Sequence, residues 1–148
     1  MENNKEKILA SACLLGECVR HDTQVLRITD QRIFQWGRER RFLPICPECM
    51  AGLLVPREKC EIEAGKTALD VLEGNARILT QSGKDCTEDV LFGIQAAFGM
   101  AKRNNARVAL LKQDSSSCMN LLATLLKKEG ILVFDETQID ALENALND

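Results

Sequence analysis

Residues 107–112 read RVALLK, with apolar side chains at four consecutive positions. A strand with one solvated face alternates apolar and polar residues, so an unbroken apolar run predicts a strand buried on both faces. Strands of that kind belong to parallel sheets, whose successive members are joined by crossover segments, usually helices. The rest of the chain supplies the pieces. KILASAC (7–13) predicts the first strand, and RFLPIC (41–46) another, with Pro44 restricted to an edge or a strand end. ILVFDE (131–136) predicts a further strand. Helical spacing lies between them. Residues 24–37 carry Val25, Ile28, Ile33 and Trp36, with an interruption or cap near Thr29-Asp30. Thr87 reads as the N-cap of a helix reaching Asn104, with Val90, Leu91, Ile94, Phe98 and Ala101 on one face. Cys118 to Lys128 returns to helical spacing and stops at Gly130, and TQIDALENAL is a terminal amphipathic helix. Residues 50–86 are the least regular, and ARILTQ (76–81) reads as one strand of a small hairpin there. The expected fold is α/β: a mainly parallel sheet with helices on both faces, Rossmann-like and three-layered, with one small irregular hairpin insertion. No repeat or linker divides the chain, so residues 1–148 are expected to form one domain.

Charge and hydropathy narrow the function. A net charge of −3 offers no basic footprint for nucleic acid, and RERR (38–41), the one dense basic run, reads as a solvated helix end. No apolar run is long enough to span a bilayer, and MENNKEK is too polar for a signal peptide. Seven cysteines in such a chain are expected to be cytoplasmic thiols, reduced unless they hold metal or do chemistry.

Their placement is the informative part. Ligands of open parallel sheets sit beyond the carboxyl ends of the strands. Cys13 ends the first predicted strand, Cys46 ends the second, and Cys118 lies a few residues past RVALLK. Three thiolates delivered to one rim suggest a soft metal centre, either zinc or an iron–sulfur cluster. Structural zinc usually takes four ligands from two short knuckles, whereas this chain has a single C-x-x-C (CPEC, 46–49) and one histidine, His21. Three ligands would leave an open coordination position, as catalytic metals require.

The same residues carry a resemblance. ILASACLLGECVRHD, CPECMAGLLVPRE and LLKQDSSSC occur in order, with VLEGNARILTQSGKDCTEDVLFG between the second and third. Together they resemble the motifs of the thiouracil desulfurase family, first catalogued as a bacterial domain of unknown function. The resemblance runs from about Ile8 to Cys118 and resumes at EGILVFDE. It implies a [4Fe–4S] cluster held by Cys13, Cys46 and Cys118, with the fourth iron open to the sulfur of a small thiocarbonyl substrate such as a thiolated pyrimidine. It further implies that Glu48 is the acid/base and that Ser115 and Ser117 border the substrate. Lys112, at a strand end, is placed to orient the substrate or support the charge of the centre. Cys49 falls where the family has no required cysteine. The chain departs from the family's usual form at Thr23, which replaces a glycine, and at Ser116 and Met119, which replace a proline and a glycine around the third cysteine.

Other residues have plainer readings. Cys18, Cys60 and Cys86 are expected as packed or surface thiols. His21 is expected to hydrogen-bond locally, and Arg20 with Asp22 to form a loop ion pair or border the site. Two other functions stay open from sequence: a non-catalytic iron–sulfur or zinc-binding module, and a dithiol redox protein using Cys46 and Cys49. For the latter, Gly52 and Pro56 interrupt the stretch where a redox helix should begin. A cysteine phosphatase built on Cys118 is weaker, because no arginine follows within the same turn.

Overall fold

The computed structural model describes residues 6–16, 29–113 and 117–147, and leaves the side chains of Ser117 and Cys118 outside that description. In chain order the elements are β1 (Ile8–Ser11), a 3-10 turn (Ala12–Leu15), α1 (Gln31–Arg38), β2 (Phe42–Ile45), α2 (Pro47–Met50), β3 (Cys60–Ile62), α3 (Ala68–Leu72), β4 (Ile78–Thr80), α4 (Thr87–Arg103), β5 (Val108–Leu110), α5 (Ser117–Lys128), β6 (Leu132–Phe134) and α6 (Ile139–Leu146). Four strands make a parallel sheet in the order β2-β1-β5-β6, while β3 and β4 form a separate antiparallel pair. The expected α/β architecture and its hairpin insertion are both present. Pro44 lies on β2, the edge strand, where its missing N–H costs no ladder bond.

Burial explains the apolar runs. Ile8, Ala10, Val108 and Leu110 face a core completed by Ile33 and Trp36 of α1 and Leu142 of α6. Leu9, Ile45, Ala109 and Leu111 face the opposite core, filled by Val90, Ile94 and Ala97 of α4 and Leu121, Leu122 and Leu126 of α5. β1 and β5 are thus covered on both faces, and every residue in them is buried. On the outer side, Arg32 of α1 bonds Asp140 at 2.8 Å and Glu143 at 2.9 Å, clipping α1 to α6.

Several local expectations need correction. Asp30 does cap α1, accepting from the Arg32 backbone N–H, but residues 24–28 of the proposed helix lie outside the described residues. Thr87 is the first residue of α4 and not its cap. Its hydroxyl donates to Asp85 at 2.6 Å and accepts from the Ile78 N–H at 2.8 Å, so it ties the helix start to the hairpin. Arg41 is not solvated: its side chain is buried and Nε donates to the Glu6 carbonyl at 3.1 Å. Two short helices escaped sequence reading. α2 begins within CPEC itself, with Cys46 as its N-cap, and α3 opens on a capping box between Thr67 and Asp70.

Candidate metal centre

The site begins at the carboxyl rim of the sheet. Ser11, the last residue of β1, pairs with Ile45 at the end of β2, so the chain leaves both strands at the same level. Cys13 lies two residues beyond Ser11 in the 3-10 turn and is 3% exposed. Gly16 stops that turn at φ +92, a conformation that side chains resist, and its N–H donates to the Cys13 carbonyl at 3.3 Å. Cys46 directly follows Ile45 and is the N-cap of α2. Adjacent strands lie about 4.8 Å apart, so the register brings the segments bearing Cys13 and Cys46 side by side.

The third segment is fixed by a residue that sequence reasoning did not single out. The fully buried Ser11 hydroxyl accepts the Lys112 backbone N–H at 3.0 Å and donates to the Met119 sulfur at 3.5 Å. One side chain therefore joins the end of β1, the exit of β5 and the first turn of α5. Cys118 immediately precedes Met119 in that turn. Its side chain, like that of Ser117, lies outside the described residues, as do all of Ser115, Cys18, Arg20, His21 and Asp22.

The CPEC turn is held from behind by α4. A Cβ added at Gly93 would sit 1.8 Å from the Pro47 carbonyl oxygen, so only glycine allows this approach. Glu48, on the first turn of α2, is 5% exposed and accepts Arg57 Nε at 2.6 Å. The same guanidinium points Nη1 at Cys49 Sγ (3.8 Å) and Nη2 at Cys46 Sγ (3.9 Å). Arg57 stands within the motif CPECMAGLLVPRE, yet a basic residue nine positions past Glu48 gave no hint that it folds back onto the turn. Burial pushes the Cys46 thiol up to about 11; the Cys49 backbone N–H opposes that rise, the Cys49 thiol adds to it, and the Arg57 charge opposes it.

Lys112 is committed to protein partners. Its ammonium donates to the Gln113 carbonyl at 2.6 Å and pairs with Glu136 at 2.9 Å. Burial opposes ionisation of Glu136, but the Gln113 N–H and the Lys112 ammonium outweigh it, leaving its carboxyl below the usual range. Cys60 and Cys86 are packed in the core with their sulfurs 3.2 Å apart, as their plainer reading anticipated. Burial, with the adjacent Cys86 thiol, pushes Cys60 up to about 12.

Among the described residues, no three His, Cys, Asp or Glu side chains gather as a metal site. The register sets the segments bearing Cys13 and Cys46 side by side, with the Cys13 side chain packed in the core cluster of Leu14, Ile33 and Trp36; Glu48 follows Cys46 on α2, and the backbone of Cys118 lies on the helix that touches Ser11. Soft sulfur donors, a sheltered rim and a guanidinium to balance thiolate charge fit an iron–sulfur group better than a hard cation. A groove of about 650 Å³, lined in part by Leu14, Leu15, Phe42 and Pro44, borders the same turn.

Comparison with known proteins agrees with this chemistry. The family model of 2-thiouracil desulfurase matches residues 8–138. The uncharacterized protein YbbK of Bacillus subtilis (strain 168) is 33% identical over 151 residues, covering 90% of this chain and 97% of that protein. The solved structure of a [4Fe–4S]-dependent thiouracil desulfidase, TudS, superposes with a TM-score of 0.84 at 34% identity, covering 97% of this chain and 99% of that one. The chain belongs to the 2-thiouracil desulfurase family.

Proposed function

We propose that this protein is an iron–sulfur-dependent desulfurase that removes sulfur from a small thiocarbonyl compound such as a thiolated pyrimidine. Cys13, Cys46 and Cys118 would hold a [4Fe–4S] cluster. The observation that carries this reading is the Ser11 junction, which draws the segments bearing the three cysteines to one rim. When bound, a cluster with three protein thiolates supplies an open, soft iron suited to a thiocarbonyl sulfur. The chain's own residues would do the rest. Glu48, two residues from Cys46 and buried against Arg57, is the group that accepts a proton from water as it adds to the thiocarbonyl carbon. Ser115 and Ser117 precede Cys118 on the segment entering α5 and would border the ring. Lys112, tied to Glu136, would set the charge of that edge and need not touch the substrate.

The dithiol alternative is weaker. A redox C-x-x-C needs a thiol whose pKa is lowered, and burial moves Cys46 the other way. A non-catalytic cluster module makes a different prediction from a desulfurase, and one experiment separates them. Protein reconstituted anaerobically should be brown, contain iron and sulfide, and release sulfide from 2-thiouracil. Glu48→Gln should keep its iron while turnover falls on the order of 10²-fold or more. A brown wild-type protein that leaves every thiolated base intact would make the non-catalytic reading the better one.

A further inference from the structure

We propose that Arg57 is the positioning residue of this centre: one guanidinium both orients the Glu48 carboxylate and presents N–H donors to the sulfurs of Cys46 and Cys49. Its kinetic consequence rests on the desulfurase reading above, while its effect on the sulfurs requires only that a cluster binds.

Burial makes the first part of the case. The side chains of Arg57 and Glu48 are 10% and 6% exposed. A sheltered ion pair is a poor source of net stability, because desolvation offsets most of the attraction. Its placement one turn from a cysteine of the centre therefore calls for another explanation. Geometry makes the second part. Nε takes Glu48 at 2.6 Å, and Nη1 is anchored by the Leu54 carbonyl at 3.2 Å, which fixes the plane of the fork. With that plane fixed, Nη1 and Nη2 face Cys49 and Cys46 at 3.8 and 3.9 Å. Only a planar, five-donor group reaches a carboxylate, a carbonyl and two sulfurs at once; a lysine ammonium is a single point charge on a flexible stem.

Two consequences follow from this one arrangement. The carboxylate is held in a single orientation by the guanidinium, which fixes its position beside Cys46. An N–H directed at a ligand sulfur withdraws electron density from it, and such donors raise the reduction potential of a cluster. Cys49 shares the same guanidinium without being needed as a ligand.

The test uses full-length protein, reconstituted anaerobically, as wild type, Arg57→Met, Arg57→Lys and Glu48→Gln. Iron and sulfide content, cluster midpoint potential, and kcat and KM with 2-thiouracil are measured for each. Arg57→Met should keep its iron, show a more negative potential, and lose roughly 10–100-fold in kcat with KM little changed. Arg57→Lys restores charge without the fork, so its potential should return only part of the way. Glu48→Gln should lose kcat at wild-type potential, which separates the two roles. A wild-type potential in both Arg57 variants would overturn the proposal. So would loss of iron from an Arg57→Lys protein with a wild-type circular dichroism spectrum, since that marks a structural role only. If wild-type protein released no sulfide, the desulfurase reading would fall, and the potentials alone would decide the role of Arg57.

Discussion

Ser11 shows how much a single hydroxyl can organise. Its partners lie 101 and 108 positions away in sequence, so no local pattern could have marked it. Cysteines are legible because their chemistry is rare, whereas a serine in SAC reads as filler until the fold brings Lys112 and Met119 to it. Ser11→Ala would leave the partly buried Lys112 N–H without this acceptor, at a cost of about 1 kcal/mol. Urea denaturation should register that loss, and iron content after reconstitution should fall with it. Cys60 makes a pH prediction. Burial raises its thiol from an ordinary 9.0 to about 12, so the unfolded chain gives up this proton before the folded one does. Its contribution to stability is therefore complete below pH 9 and is lost progressively as pH rises toward 12. The melting temperature should fall between pH 8 and pH 10.5, and Cys60→Ala should flatten that slope. Iodoacetamide at pH 8 should leave Cys60 unmodified in the folded protein, because the neutral thiol is inert.

Among the elements, the strands of the parallel sheet, β4 and the long helices were legible, whereas β3, α2 and α3 were not. Unbroken apolar runs announced β1 and β5 because both faces of those strands are covered. α2 has only four residues, fewer than periodicity can register, and Gly52 with Pro56 masked it. α3 carried a readable signal in Thr67 and Asp70, hidden by its position among glycine-punctuated turns. The misplaced cap at Thr87 has a tertiary cause: the hairpin claims its hydroxyl. α4 was expected to bury Leu91 and Phe98, yet its approach to the Pro47 backbone is made at Gly93, which has no side chain to advertise it. Gly93→Ala would force the Pro47 carbonyl aside and move CPEC with it, costing roughly 1–3 kcal/mol or more. The expected result is a lower melting temperature together with a larger proportional loss of turnover, since Cys46 and Glu48 flank the displaced residue. Unchanged kinetics would show that α2 can move without disturbing the centre.

For the molecule as a whole, the strand order explains why the proposed centre falls at this rim. β1 lies at the centre, flanked by β2 and β5; α1, which follows β1, covers one face, while α5, which follows β5, covers the other. Connections that part in this way open a crevice at the carboxyl ends of the two strands. Cys13 and Cys118 flank that crevice in sequence, and Cys46 leaves the strand next to it. Replacing Cys13, Cys46 or Cys118 with alanine should abolish iron incorporation, whereas Cys60→Ala and Cys86→Ala should retain it. Equal iron in all five variants would remove the assignment. The rim was legible because the rule for parallel sheets needs only strand ends; the inner support by Ser11, Gly93 and Arg57 was not, because each acts through contacts distant in sequence or in direction. The pairing of Ile8 with Val108 also sets a timetable. During synthesis, Cys13 and Cys46 emerge long before β5 exists to complete the central strand's pairing, and Cys118 emerges later still. If the chain takes up a cluster as proposed, loading follows synthesis of the whole rim, because a chain paused ahead of β5 would present Cys13 and Cys46 without the segment that bears Cys118.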